Sequence, residues 1–238
     1  MIFKISISYD GSQFFGSQKQ RNFPTVQGVL EEAIEKVLKQ KIKLKIASRT
    51  DRFVHARENF CSFEGETKIP LENLKKAINS HLPRSLKILK IERKKKFHPR
   101  FDTVSKTYRY FIKTKNFYPY DHNYCWHVPF KLERNRMEKA AKFLVGRKDF
   151  RHLSSCLRRE NTICDVKKMK ISKGENFFIE IEASHFLYKM ARTIVSFIVE
   201  AGMGKILERD FEKVLLGKTR HISPAPPQGL FLWKIKYK

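Results

Sequence analysis

Acidic residues are scarce in this chain: 24 Asp and Glu stand against 50 Lys and Arg in 238 residues, a formal net charge of +26. Self-repulsion of that size opposes compaction, so the composition points to a polyanionic partner. A lysine-rich chain that has drifted basic gives the same count, but 13% aromatic residues also suits base stacking, and the two together favour nucleic acid. Long apolar runs are missing too. None reaches the ~18 residues that span a bilayer, and the opening "MIFKISISYDG" alternates like a strand instead of carrying a signal-peptide core. These absences predict a soluble, cytoplasmic protein with no membrane partner. Cys61, Cys125, Cys156 and Cys164 include no C-x-x-C pair, which predicts reduced, mostly buried thiols and no metal site. There is no P-loop, no Rossmann glycine pattern and no metal-ligand cluster, so the sequence predicts no cofactor.

Hydrophobic residues make up 41% of the chain, which places it among folded proteins and not basic tails. Phe3, Ile5, Ile7 and Tyr9 alternate with Lys4, Ser6 and Ser8 as a strand does. "PTVQGVLEEAIEKVLKQ" has helical spacing, with Thr25 as the N-cap. A strand over 41–47 follows, then the strand "ENFCSFEGE", the helix "PLENLKKAINSHLP" and the strand "SLKILKIER". That order, β-α-β-β-α-β, is the ferredoxin-like pattern. The second half repeats it: strand "SKTYRYFIKTK", helix "ERNRMEKAAKFLVG" ending at Gly146, and a hairpin of "ICDVKKMKIS" and "NFFIEIEAS" across "KGE". A long helix, "HFLYKMARTIVSFIVEAG", and a final strand, "QGLFLWKIKYK", complete it. The expected fold is α+β, with ferredoxin-like halves at 1–103 and 104–238 and antiparallel sheets flanking a basic cleft. "RKKKFHPRFDTVSK", the most basic stretch, lies at the junction as either a solvated charge run or a phosphate contact.

Three features suggest chemistry. In "ASRTDRFVHA" Asp51 sits between Arg49 and Arg52 at the end of a predicted strand. A neighbouring cation holds a carboxylate ionised, and such a residue either fixes an arginine or reacts. On the helix beginning near residue 185, Lys189, Arg192 and Ser196 form a polar stripe beside an apolar face. Arg192 either snorkels to the surface or is pinned by a carboxylate, for which Asp51 is a candidate. In "KTYRYF", Tyr108 and Tyr110 share a face and serve either the core or an extruded base.

Taken in order, "ISYDGSQFFGSQKQ", "TVQGVLEEAIEKVL", "SRTDRFVHA", "FHPRFD", "KTYRYFI", "FLYKMARTIV" and "SPAPPQGLFLWKIKY" resemble the tRNA pseudouridine synthase A (TruA) family over nearly the whole chain. The resemblance implies two ferredoxin-like halves, a tRNA partner, a homodimer, and modification of the anticodon arm at positions 38 to 40. It implies that Asp51 is the catalytic aspartate and nucleophile, and that Arg49 holds or covers the site. It also implies that Tyr108 packs against the target base and that Arg192 pairs with the aspartate. Against the family pattern G-R-T-D-x-G-V-H-A, this chain has Ser48 before the arginine and Phe53 in place of the second glycine; Ser17 replaces the tryptophan of G-W-Q-R-Q. These changes bear on the loop geometry. The competing reading is a catalytically silent tRNA-binding or RNA-chaperone protein on the same scaffold.

Overall fold

The computed structural model describes residues 1–157 and 161–238. Contacts gather into two compact units, Met1–Val104 with Phe231–Lys238, and Ser105–Leu230.

The first unit runs β1 (Ile2–Tyr9), α1 (Val26–Leu38), β2 (Lys45–Ile46), β3 (His55–Glu64), α2 (Leu71–Ser80) and β4 (Leu86–Lys94). This is the expected β-α-β-β-α-β order. β1 lies between β4 and β3, antiparallel to both, with Ile5 opposite Ile91 on one side and Cys61 on the other. The strand period puts Phe3, Ile5, Ile7 and Tyr9 on the buried face. Thr25 caps α1, its side chain accepting from the Gly28 amide.

The strand expected over 41–47 is confined to two residues, which pair with Ser62 and Cys61. Ile42 and Leu44 are buried as their alternation requires, yet their backbone bonds go to a helix. Glu35 accepts from the Ile42 amide and Glu31 from the Leu44 amide, both at 2.9 Å, while Gln27 donates to the Leu44 carbonyl. Side chains of α1 replace a ladder and satisfy the same groups. β3 also begins three residues before the expected strand, at His55.

The second unit carries β5 (Thr103–Lys113), β6 (Trp126–His127), α3 (Arg134–Leu144), β7 (Gly146–Asp149), β8 (Ile163–Ile171), β9 (Asn176–Ala183), α4 (Met190–Gly202) and the short α5 (Phe211–Leu215). The strands β5, β9, β8 and β7 pair antiparallel in that order, and β6 joins β5 in parallel. α3 packs against α4. Gly146 opens β7 instead of ending the helix, which stops at Leu144. α4 starts five residues later than expected because Lys189 takes a left-handed conformation, φ +59°, that no helix continues through. The chain returns to the first unit as β10 (Leu230–Tyr237), where Phe231 and Leu232 pair in parallel with His55 and Ala56 of β3. No helix among the described residues is long and apolar enough to cross a membrane.

Candidate active site

Asp51 lies in the loop between β2 and β3, half-buried, with Arg49 and Arg52 exposed on either side and Ser48 and Thr50 buried. The burial alternates because the inward residues are bonded to β1, β3 and the turn that follows β1. Tyr9 Oη and Thr50 Oγ1 are 2.8 Å apart, and Asn59 donates to the Ser48 carbonyl at 2.9 Å and to Tyr9 Oη at 3.3 Å. The segment 10–17 is joined to the other side of the loop. Ser17 Oγ accepts from the Thr50 amide at 2.8 Å, and the Ser17 amide donates to the Thr50 carbonyl at 3.0 Å. Gly16 has φ +88°, and a Cβ there would lie 2.9 Å from that carbonyl, so both conformation and space require glycine.

The downstream side is equally tied. The Phe53 amide donates to the Gly11 carbonyl and the Val54 amide to the Asp51 carbonyl, at 3.2 and 3.1 Å. The Gly11 amide donates to Nδ1 of His55, a buried ring stacked on Phe231. Asp10 Oδ1 is 3.1 Å from the same nitrogen. Asp10 Oδ1 also accepts from the Ser12 amide and hydroxyl, at 2.9 and 2.7 Å.

Tyr108 and Tyr110 share the buried face of β5, opposite Ile181 and Ile179 of β9. Tyr108 is 6% exposed and meets Phe186 edge to face at 4.8 Å. Tyr110 donates its hydroxyl to the Pro226 carbonyl at 2.7 Å. Burial holds its phenol well above the ordinary range, against the opposing charge of Arg192. Arg192, half-buried on α4, donates Nε to the Ala225 carbonyl at 2.6 Å, while the Ala225 amide returns a bond to the Arg192 carbonyl. The "SPAPPQG" segment is thereby fixed between α4 and Tyr110. Asp51 and Arg49 thus belong to the first unit, Tyr108 and Arg192 to the second.

With this geometry in view, similarity to known proteins is informative. The model of a family described as tRNA pseudouridine synthase matches residues 5–102 and 140–238. The chain belongs to that family. It is 41% identical over 239 residues to tRNA pseudouridine synthase A of Thermoanaerobacter sp. (strain X514), covering 98% of each chain. The enzyme of the same name from Listeria innocua serovar 6a is 37% identical, with 99% of each chain covered. That of Borrelia turicatae is 38% identical over 98% of this chain and 97% of its own.

The three departures from the tRNA pseudouridine synthase pattern take up definite places. Ser48 stays on the negative-φ side of backbone space and needs no glycine. Phe53 does adopt the left-handed conformation that the family's glycine takes easily, φ +65°. Ser17 is fully buried and supplies an acceptor that an indole, a donor only, lacks. Tyr9, Ser17, Asn59 and His55 are supports whose bonds the sequence reading did not foresee; it singled out Ser17 only as a departure from the family pattern. Asn59 left a trace: it shares the inward face of β3 with Cys61 and Phe63, where a polar residue calls for a partner.

Proposed function

We propose that this protein isomerises uridine to pseudouridine in the anticodon arm of tRNA, at positions 38 to 40, with Asp51 as nucleophile. The reaction breaks the N1–C1′ bond, turns the uracil and forms a C5–C1′ bond, while C5 loses a proton and N1 gains one, with no net redox change and no energy source consumed. The observation that carries this reading is the placement of Asp51. It sits on a loop bonded on both flanks, between two exposed arginines, in a chain that matches tRNA pseudouridine synthases across nearly its whole length. A rigid loop fixes the carboxylate relative to a substrate held by its phosphates.

The other site residues follow from the family resemblance and suit their surroundings. Arg49, exposed beside Asp51, covers the site once RNA is bound. Tyr108, held by Phe186, offers the target base an ordered wall without loss of rotamer freedom. Arg192 has its Nε committed to Ala225, which fixes the plane of the guanidinium that pairs with Asp51 in the working enzyme. The enzyme acts in the cytoplasm as a homodimer, which sedimentation equilibrium tests.

A silent binding protein draws its support from the loop substitutions, yet the loop that holds Ser48 and Phe53 is bonded on both flanks, with Ser17 supplying one of the bonds. Asp51→Asn decides the matter. The amide keeps the shape and loses the nucleophile, so tRNA binds within about twofold of wild type while pseudouridine, read as a carbodiimide-dependent stop in primer extension, disappears. Turnover within tenfold of wild type removes Asp51 from the mechanism.

A further inference from the structure

Beside Asp51 lies a stack of side chains that the chemistry above leaves without a role. Phe15 and Phe23 are stacked with centroids 4.5 Å apart and planes at 26°. Cζ of Arg52 lies over the Phe15 ring at 4.2 Å and over the Phe53 ring at 4.9 Å. The Arg52 guanidinium thus links the Phe15 ring to the Phe53 ring, and Phe23 stacks on Phe15. Phe23 is 51% exposed, Arg52 is exposed, and Phe15 and Phe53 are half-buried. The segment beneath closes on itself. The Phe15 amide donates to the Pro24 carbonyl, and Gln20 Nε2 donates to the Phe15 carbonyl, both at 2.9 Å. Phe53 completes the stack only by holding φ +65°, against the steric resistance a side chain meets there. Strain at one residue of a catalytic loop points to a use for that residue.

We propose that this stack seats a nucleobase flanking the target uridine, with the Phe53 ring as its contact surface and Phe23 as its outer buttress. The inference rests on the function proposed above. Every base has a π-face, and aromatic rings alternating with a guanidinium bind such faces without reading sequence. Asp51 and Phe53 are two residues apart, so their Cα atoms are separated by at most about 7 Å. That is two rises of stacked strand at about 3.4 Å each. The seated base is therefore the first or second neighbour of the target.

The test uses tRNA anticodon stem-loops with an abasic residue placed one or two positions to either side of the target uridine. They are bound to the wild-type protein and to Phe53→Gly and Phe53→Asn, both of which tolerate φ above zero and so preserve the loop. At one flanking position the abasic residue weakens wild-type binding about tenfold, the size of a single base–aromatic contact. The same residue weakens binding by either variant less than twofold. Equal losses in all three proteins at every position overturn the seat while leaving pseudouridine formation by the wild type intact. Absence of pseudouridine in intact tRNA treated with wild-type protein overturns the functional reading, and the seat with it.

Discussion

At the residue scale the informative position is Ser17. Its hydroxyl takes the buried Thr50 amide, one residue before Asp51, at 2.8 Å. Ser17→Ala leaves that N–H inside the protein without an acceptor, which costs about 1–3 kcal/mol. Urea denaturation should show a loss of that size, and single-turnover pseudouridine formation should slow because the loop that carries Asp51, the proposed nucleophile, loses a fixed point. Ser17→Trp, although it restores the family pattern G-W-Q-R-Q more closely, should be no better, since an indole cannot accept and the site is closed to solvent. An unchanged urea midpoint for Ser17→Ala rules out the bond as a support. The same residue marks the limit of what the sequence discloses. Arg49, Asp51, Tyr108, Arg192 and Ser17 itself all lie in segments that carry the family resemblance, but the resemblance does not name a residue's bonding partner. Ser17 meets Thr50 across 33 residues, a pairing that leaves no local period.

At the scale of elements, alternation and helical spacing gave most of the strands and helices, and the misreadings have local causes: a partner outside the period, or a backbone conformation that ends it. Where a backbone found a partner outside its own period, the pattern stayed and the element did not. Segment 41–47 kept its buried Ile42 and Leu44 but bonded to α1, and α4 lost its first turn to the left-handed Lys189. α4 also positions Arg192, whose Nε is fixed on Ala225. Arg192→Lys keeps the charge and loses the planar fork, so the chemical step should fall more than tenfold while the tRNA dissociation constant stays within a few-fold. Comparable losses in both would make Arg192 a phosphate contact. The strands β5 and β10 set an alkaline limit. Burial raises the phenols of Tyr110 and Tyr237 above their ordinary value of 10.0, and each hydroxyl donates to a carbonyl, of Pro226 and Pro99. Unfolded tyrosines release their protons near pH 10, so above it the unfolded chain binds fewer protons than the folded one, and stability falls as pH rises. Thermal melts should lose stability from about pH 10 upward, and more shallowly in Tyr110→Phe than in wild type, once the variant's pH-independent loss of the Pro226 bond is subtracted.

At the scale of the molecule, the net charge of +26 is the property that the fold alone does not explain. Ion pairs such as Lys19 with Glu31 and Lys113 with Asp121 are already cancelled in that balance. The end of β4 and the loop after it carry exposed cations, Lys94 on the strand and Lys95, Lys96 and Arg100 beyond it, while Phe97 and Tyr237 pack around Lys4 and Tyr237 bonds Pro99 to anchor the loop's base. A run of cations held out from an anchored base suits phosphates spaced along a strand. Each phosphate neutralised releases counterions, so log K should fall linearly with log salt, and six contacts would cost about a thousandfold in affinity between about 50 and 200 mM. Lys95→Ala should lower that slope by about one unit and weaken binding modestly at low salt, yet leave single-turnover chemistry at saturating enzyme unchanged. That is the reverse of the expectation for Arg192→Lys, and filter binding with single-turnover assays on both variants separates charge that gathers the RNA from charge that arranges the reaction. A flat salt dependence would mean that shape and stacking hold the tRNA, and that the excess of lysine and arginine serves some other purpose.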